Sequence, residues 1–461
     1  MGECASDSAG FSEVQVWKDE LDALLAELES AEMRLANHGA GRRDSGSYYT
    51  PADVAAHFWK LFWRHHEVED GASALRLIQE ADFVEPSVGS GIFFFSLLRS
   101  LAEFQIGPRA ASDVRFTAVD INRAALDFLE AELRRLETRF QVRFRNVALA
   151  EADFLKWIAA QARPSATFVG NPPFVANARG SEWKNIYADF VAAMLSGVPQ
   201  SNLSLIVPIS ICFSRDYVGL RRLLRDSGRP LSASSYDNIP DCLFKAGKPE
   251  SRNTNKANSQ RCTILQLGGP RTGVVESSPL LRWSAGDRRA FLSSTPAFHD
   301  CSRFDIERQI PRPTDSSLSR YLAEATSGRT VREFMSRIGT GTFSVGAVAR
   351  NFIGIRDYPS AGSGTIPIKT NERDSSLILL QVLSSSLFYR YWRSFGDGFH
   401  VTNELIDRFP VSTNLLAWCE GNLSEAERVW ESRQKFAKTK LNSGKVIKSY
   451  DFSKAFLHMP A

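Results

Sequence analysis

A doubly wound, mostly parallel α/β sheet is the fold class this sequence predicts, and three observations predict it. Between residues 81 and 270, short apolar runs alternate with longer amphipathic ones. A glycine loop, "EPSVGSG", separates the first strand-like run from the helix-like "IFFFSLLRSLAEF". Acidic residues close the next two strand-like runs, Asp120 in "FTAVD" and Asp153 in "EADF". Strand, crossover helix and strand repeated in this way build a Rossmann-like sheet with helices on both faces. Its ligand site belongs at the carboxyl ends of the strands.

Before the sheet, Leu21, Leu24, Leu25 and Leu28 fall at helical spacing with charges between them, which predicts an amphipathic helix over residues 16–35. That helix, within an extension covering residues 1–46, is expected to pack on the domain that follows. Next, "SGSYYTPADVAAHFWKLFW" runs from a loop into a helix, with Thr50 read as the N-cap and Pro51 as the first helical residue. Inside the sheet region, "DFVE", "RFTAVD", "VALAE", "ATFVG", "LSLIVP" and "RCTILQLG" read as strands. "AALDFLEAELRRLETRF" and "NIYADFVAAML" read as helices between them. Beyond residue 270 the texture turns Ser/Pro/Arg-rich, which places a boundary there and leaves 271–461 as a second, mixed α/β domain. Within it, residues 377–394 read as one apolar helix or a helix pair. The tail reads as a basic helix followed by a Lys-rich loop.

Composition limits the function classes. A chain of 461 residues with 43% apolar and 23% charged residues has a real core and room for two or three domains. Its formal net charge of +4 permits a nucleic-acid partner without requiring one. The six cysteines are scattered with no CxxC spacing, so neither a disulfide framework nor a metal site is expected, and a reducing cytoplasm fits best. No secretory pattern opens the chain and no apolar run approaches membrane-spanning length, so neither export nor membrane embedding is expected. His65 and His66 match no ligand spacing and read as surface residues.

The stretch "FVGNPPFV" carries the sharpest signal. Two adjacent prolines after an apolar run remove two donors and fix two φ angles, so the strand must end in a stiff loop. Asp120 at its strand end suits the two hydroxyls of a ribose, or equally the cap of the following helix. Asp153 with Phe154 beside it could read an adenine. Carboxylates without a phosphate-cradling lysine suit a nucleoside lacking phosphates, and S-adenosylmethionine is such a ligand.

In the order "YYTP", "EPSVGSGIF", "AVD", "ADF", "GNPPF", residues 47–270 resemble the γ-class DNA methyltransferases that modify the N6 amine of adenine with S-adenosylmethionine. The resemblance implies a catalytic loop of Asn171, Pro172, Pro173 and Phe174. It implies a cofactor site built from Tyr49, Thr50, Pro51, Glu85, Pro86, Gly89, Gly91, Asp120, Ile121, Asp153 and Phe154. Glu85 stands where the family often carries Asp. "SSSLFYRYWRSFGDGFHVT" also resembles a segment that recurs in restriction-modification enzymes, which makes 271–461 a target-recognition region.

The chemistry explains the loop. An adenine amine is a weak nucleophile until two fixed acceptors, the Asn171 side-chain oxygen and the Pro172 carbonyl, draw its lone pair toward the sulfonium methyl. The base must leave its duplex to reach them. Phe174 would stack on it, with Phe244 either its second wall or an ordinary core residue. The following loop carries Lys245, Lys248, Arg252 and Lys256, read as contacts to the DNA backbone. The tail lysines, Lys435, Lys438, Lys440, Lys445 and Lys448, read by default as a solvated face, and in a DNA enzyme as backbone contacts. Double-stranded DNA is the expected partner, with a separate restriction endonuclease or defence subunit beside it, since no nuclease carboxylate pattern is visible. The rival readings are a methyltransferase for another planar amine, in glutamine or an RNA base, and a catalytically idle DNA-specificity subunit.

Overall fold

The computed structural model describes residues 4–37, 50–161, 165–177, 180–244, 260–325, 328–359, 364–442 and 445–456. The chain divides into two compact units. The first comprises Met1–Ser277 with Leu281–Ile310, and the second Ser278–Leu280 with Pro311–Ala461. The first unit therefore continues past the expected boundary at 270. Strand β8 (Val275–Leu281) and the short β9 (His299–Asp300) pair antiparallel at Glu276↔Asp300 and extend the sheet, and apart from Ser278–Leu280 the chain stays in this unit until Ile310.

Among the described residues, the first unit holds one nine-stranded sheet in the order β3-β2-β1-β4-β5-β7-β6-β8-β9. Its parallel strands are β1 (Asp82–Glu85), β2 (Arg115–Asp120), β3 (Val147–Glu151) at the edge, β4 (Thr167–Gly170) and β5 (Asn202–Pro208). β7 (Cys262–Leu267) runs antiparallel between β5 and β6 (Leu231–Tyr236). Apolar residues fill consecutive positions of β4 and β5 because both faces are covered, as in parallel sheets flanked by helices. Strand order reverses between β1 and β4, which both end at the same edge. This is the crevice where a doubly wound sheet binds its ligand.

Helix α1 (Cys4–Asn37) buries Trp17, Leu21, Leu24, Leu25 and Leu28, the stripe its spacing predicts. α2 (Ala52–His65) buries Phe58, Trp59 and Phe62 and is followed by α3 (Gly71–Glu80). α4 (Ile92–Glu103) follows the glycine loop, and Lys18–Glu103 and Arg99–Asp22 ion pairs tie it to α1. α5 (Arg123–Phe140) buries Leu126, Leu129, Leu133 and Leu136 and sets Phe140 edge-on to Trp17 at 4.7 Å. α6 (Phe154–Ala159) and α7 (Ile186–Gly197) flank β4 in sequence.

His65 is not a surface residue: it is 1% exposed, and its Nδ1 lies 2.8 Å from Ser232 Oγ. Burial lowers both imidazoles, His65 to about 4 and His66 to about 3, so they sit in the unit uncharged. The surface expectation treated the end of α2 as a helix end facing water, whereas β6 and the residues after β7 cover it.

Among the described residues the second unit packs helices with a five-stranded antiparallel sheet whose first three strands in the chain are β11 (Thr340–Gly346), β12 (Ile355–Asp357) and β13 (Thr365–Thr370), while β10 (Arg329–Thr330) and β14 (Pro410–Val411) pair apart from it. The apolar stretch at 377–394 is a helix pair, α8 (Arg373–Ser384) and α9 (Ser386–Phe395), broken where Ser385 caps the second helix by accepting from Phe388 N at 3.0 Å. The Lys-rich tail is not a loop. It forms a hairpin of β15 (Ala437–Asn442) and β16 (Lys445–Tyr450), in which the alternating "AKTKLN" pairs antiparallel with "KVIKSY", a run rich in β-branched and aromatic residues. No helix among the described residues is long and apolar enough to cross a membrane. Five described cysteines are buried free thiols.

Candidate functional site

The residues singled out in the sequence converge on the carboxyl edge of β1, β2 and β4. Glu85 ends β1 and is 1% exposed, with Pro86 buried beside it. The loop then turns through Gly89 and Gly91 at φ of 52° and 81°. A Cβ on Gly91 would stand 2.8 Å from Leu129, so a side chain there meets both backbone strain and a clash. Asp120 ends β2 and reaches back to the loop, accepting from Gly89 N at 2.9 Å and from Asn122 N at 2.8 Å. It is not the cap of the following helix, since Asn122 fills that place by accepting from Ala124 N at 3.1 Å. Ile121 next to it is 75% exposed, an unusual position for a large apolar side chain. Asp153 caps α6 by accepting from Leu155 N at 3.0 Å. Phe154 is 2% exposed and stacks 4.9 Å from Phe190, inside the sheet's helical cover.

Gly170 closes β4 at φ 130°, and its Cα passes so close to Glu85 that a Cβ there would lie 3.2 Å from Glu85 Cγ. Asn171 follows. Its Nδ2 donates to Thr50 Oγ1 at 3.2 Å, and its carbonyl accepts from Ser87 Oγ at 3.3 Å. The Thr50 contact corrects the expected helix start. Thr50 does not cap α2, whose cap position is Pro51, with Val54 N and Ala55 N both donating to the Pro51 carbonyl at 3.0 Å. The threonine hydroxyl is committed to Asn171 instead. Pro172 is buried, Pro173 half-buried, and Phe174 is 6% exposed. Phe174 meets Phe244 with ring centroids 6.3 Å apart at 72°. Tyr49, Lys245, Lys248, Arg252 and Lys256 lie outside the described residues.

Two polar atoms at this edge, Glu85 Oε2 and Ser90 Oγ, are buried with no hydrogen-bond partner among the described residues. Buried polar atoms of this kind call for a partner, which an ordered water or a ligand can supply. Burial, reinforced by the charge of Asp120, holds the Glu85 carboxyl well above the usual carboxylate range. The set fits a cationic nucleoside: a buried carboxyl for positive charge, a second carboxylate beside an exposed apolar wall, and a glycine loop that permits close approach. Among the described residues no cluster of His, Cys, Asp or Glu stands where it could hold a metal ion.

The Glu85 environment gives a testable sign. A carboxyl whose folded-state pKa is raised stabilises the fold fully below its unfolded value, and that contribution is lost as pH climbs toward the folded value. Measured against Glu85→Gln, the ligand-free parent should therefore lose melting temperature as pH rises above the ordinary carboxylate range, because the opposite contribution of the buried imidazoles is common to both proteins. Binding of a cationic ligand should ionise the carboxyl and release roughly one proton. Calorimetry in buffers of different ionisation enthalpy reads this directly. Equal proton release by parent and Glu85→Gln would remove Glu85 from the site.

The brace behind Phe244 left almost no trace in the sequence. Arg288, 2% exposed, donates to Asp53 at 2.6 and 3.0 Å, to Asp241 at 3.5 Å, and to the carbonyls of Cys242 and Leu243 at 2.7 and 2.8 Å. At the other end of the same loop, Asp237 accepts from Arg261 at 2.8 Å and Arg282 at 2.6 Å. Backbone bonds Asp237 N to Leu281 O and Asp241 N to Trp283 O lace the two segments together. Residues after 270, expected to belong to another domain, thus hold the loop that ends in Phe244. The single hint in the sequence is the pairing of Asp and Arg between "YDNIPDCLF" and "LRWSAGDRR".

No protein-family model and no curated protein matches the chain. Several solved structures are partly similar to it. A DrdV–DNA complex is similar at 14% identity and TM-score 0.44, covering 70% of this chain and 37% of that one. The type IIL restriction-modification enzyme MmeI, in complex with DNA, is similar at 12% identity and TM-score 0.46, covering 83% of this chain and 69% of that one. The methyltransferase subunit of a type I restriction-modification system from Streptococcus thermophilus is similar at 15% identity and TM-score 0.35, with 57% and 59% covered. The chain thus spans well under two thirds of the length of the DrdV chain and somewhat under it for the type I subunit.

Proposed function

We propose that the chain is a DNA methyltransferase that moves a methyl group from S-adenosylmethionine to the N6 amine of a flipped adenine in a specific sequence, within a restriction-modification or phage-defence system. The observation that carries this reading is Asn171, stationed where strand order reverses, pinned by Thr50 and followed by two prolines. When bound, the cofactor supplies a sulfonium methyl. Glu85 then faces the cation, Asp120 the ribose, Asp153 the cofactor's adenine amine, and Ile121 packs against that ring. Asn171 Oδ1 and the Pro172 carbonyl accept the two hydrogens of the target amine and hold its lone pair toward the methyl. Because the prolines preset their own φ angles, little reorganisation is needed as charge develops.

Phe174 and Phe244 flank the target base. A base stacked between two rings needs planes about 7 Å apart, twice the 3.5 Å contact distance. The rings stand at 72° with centroids 6.3 Å apart, so entry of the base must turn or displace one of them. Lys245, Lys248, Arg252 and Lys256, directly after Phe244, track the backbone beside the flipped base, and residues 311–461 select the sequence.

Modified-base sequencing of DNA from a methylation-free host expressing the protein tests the reading. N6-methyladenine at one short sequence is expected. Unmodified adenines alongside a modified base of another kind, or none, would overturn it.

A further inference from the structure

The charge of this chain is concentrated on one small element. From Ser432 to Tyr450 there are six basic residues and no acidic one, more than the whole chain's net +4, so the remainder is net acidic. Arg433 in this stretch is tied to Asp357 at 2.8 Å. The lysines stand on the β15–β16 hairpin, where β15 forms the outer edge of the second unit's sheet. Cross-strand register pairs Lys438 with Ser449 and Lys440 with Ile447 on one face. It pairs Thr439 with Lys448 and Leu441 with Val446 on the other. Cations therefore project from both faces. Lys448 bonds Gln434 Oε1 and lies 5.7 Å over the Tyr450 ring, while Lys438 and Lys440 stand exposed.

Lysines on an edge strand often serve only to discourage pairing with other chains. That purpose does not account for Leu441 and Val446, each 73% exposed and directly opposite each other near the turn. An apolar pair left in water at the end of a cationic ribbon is a liability unless something covers it. A two-stranded ribbon fits the major groove of B-DNA, about 12 Å wide, and apolar side chains between flanking cations suit the sugars and base edges within a groove. Cations on both faces match the two phosphate rows that border a groove, which a single flat acidic surface would not require.

We propose that the β15–β16 hairpin inserts into a groove of duplex DNA, with Lys438, Lys440 and Lys448 on the phosphates and the Leu441–Val446 pair against the groove interior. The proposal rests on the DNA reading above and gives the second unit a specific contact element.

Fluorescence anisotropy of the full chain on a mixed-sequence duplex, across a salt series, tests it, with heparin as a groove-free polyanion. Lys438→Gln/Lys440→Gln should weaken duplex binding severalfold and make the slope of log affinity against log salt shallower by about 1.8, at 0.9 per lost phosphate contact. Leu441→Ser/Val446→Ser should weaken duplex binding with the slope unchanged and leave heparin binding at the parental level. Both variants should bind S-adenosylmethionine as the parent does. A parent that fails to bind duplex removes the DNA reading and the hairpin together. A parent that binds while both variants keep its affinity and slope overturns the hairpin alone, as does equal loss of heparin and duplex binding in the serine variant.

Discussion

Asn171→Ala is expected to lower methyl transfer by on the order of 10²–10³ in kcat while leaving S-adenosylmethionine affinity near the parental value. The asymmetry follows from position. Asn171 follows Gly170 at the end of β4, whereas the groups proposed to hold the cofactor sit on β1, β2 and the start of α6. Removing the amide deletes one of two fixed acceptors for the reacting amine and also frees Thr50, its partner at 3.2 Å. Thr50→Val should then cost less, since it loosens Asn171 without deleting it. Tritiated-methyl transfer and titration calorimetry on one preparation measure both quantities. Turnover undiminished in Asn171→Ala would sink the amine-activation mechanism.

The parts of this site that the sequence displays are those fixed by local rules. A strand that ends in Asn-Pro-Pro cannot continue, and Gly91 must be glycine because its φ of 81° and the nearness of Leu129 leave no alternative. Such constraints act over a few residues and leave a readable trace. The spacing of Leu21, Leu24, Leu25 and Leu28 is legible for the same reason, since one buried stripe dictates it.

What escaped the sequence are pairings between distant segments. Thr50 has the composition of an N-cap, but its hydroxyl serves Asn171, far along the chain. His65 ends a helix like any surface residue until β6 covers it through Ser232. The Lys-rich tail looked like a solvated loop because "KVIKSY" does not alternate and becomes a strand only through its pairing with "AKTKLN". The boundary at 270 followed a real change of texture, but texture records solvent exposure and not which sheet a strand joins, and β8 joins the first. Arg288 combines these difficulties: an arginine in a polar stretch gives no local sign that it will be buried.

Arg288→Ala should be the most destabilising single change at the site's periphery. It takes the cation from Asp241, whose side chain is 12% exposed and keeps only the neutral Trp283 indole donor at 3.0 Å, and the donor from two backbone carbonyls, whereas Asp53 at 42% can turn to water. Breaking a buried ion pair in this way costs about 3–5 kcal/mol, because the remaining charge stays uncompensated. Arg288→Lys should recover only part of the loss. An ammonium has no planar fork with which to serve Asp53 and two carbonyls at once. Because those carbonyls belong to the two residues before Phe244, the loop should lose its position before the sheet loses its fold. At a temperature where Arg288→Lys remains folded, cofactor affinity should be near parental. Enhancement of 2-aminopurine fluorescence at the target position should be reduced, and less so in a mismatched duplex, where less unstacking must be offset. Thermal melts together with that fluorescence separate the outcomes. A variant that melts with the parent would show the brace to be dispensable. One that is destabilised but flips the base normally would confine Arg288 to holding the fold, with no part in placing Phe244.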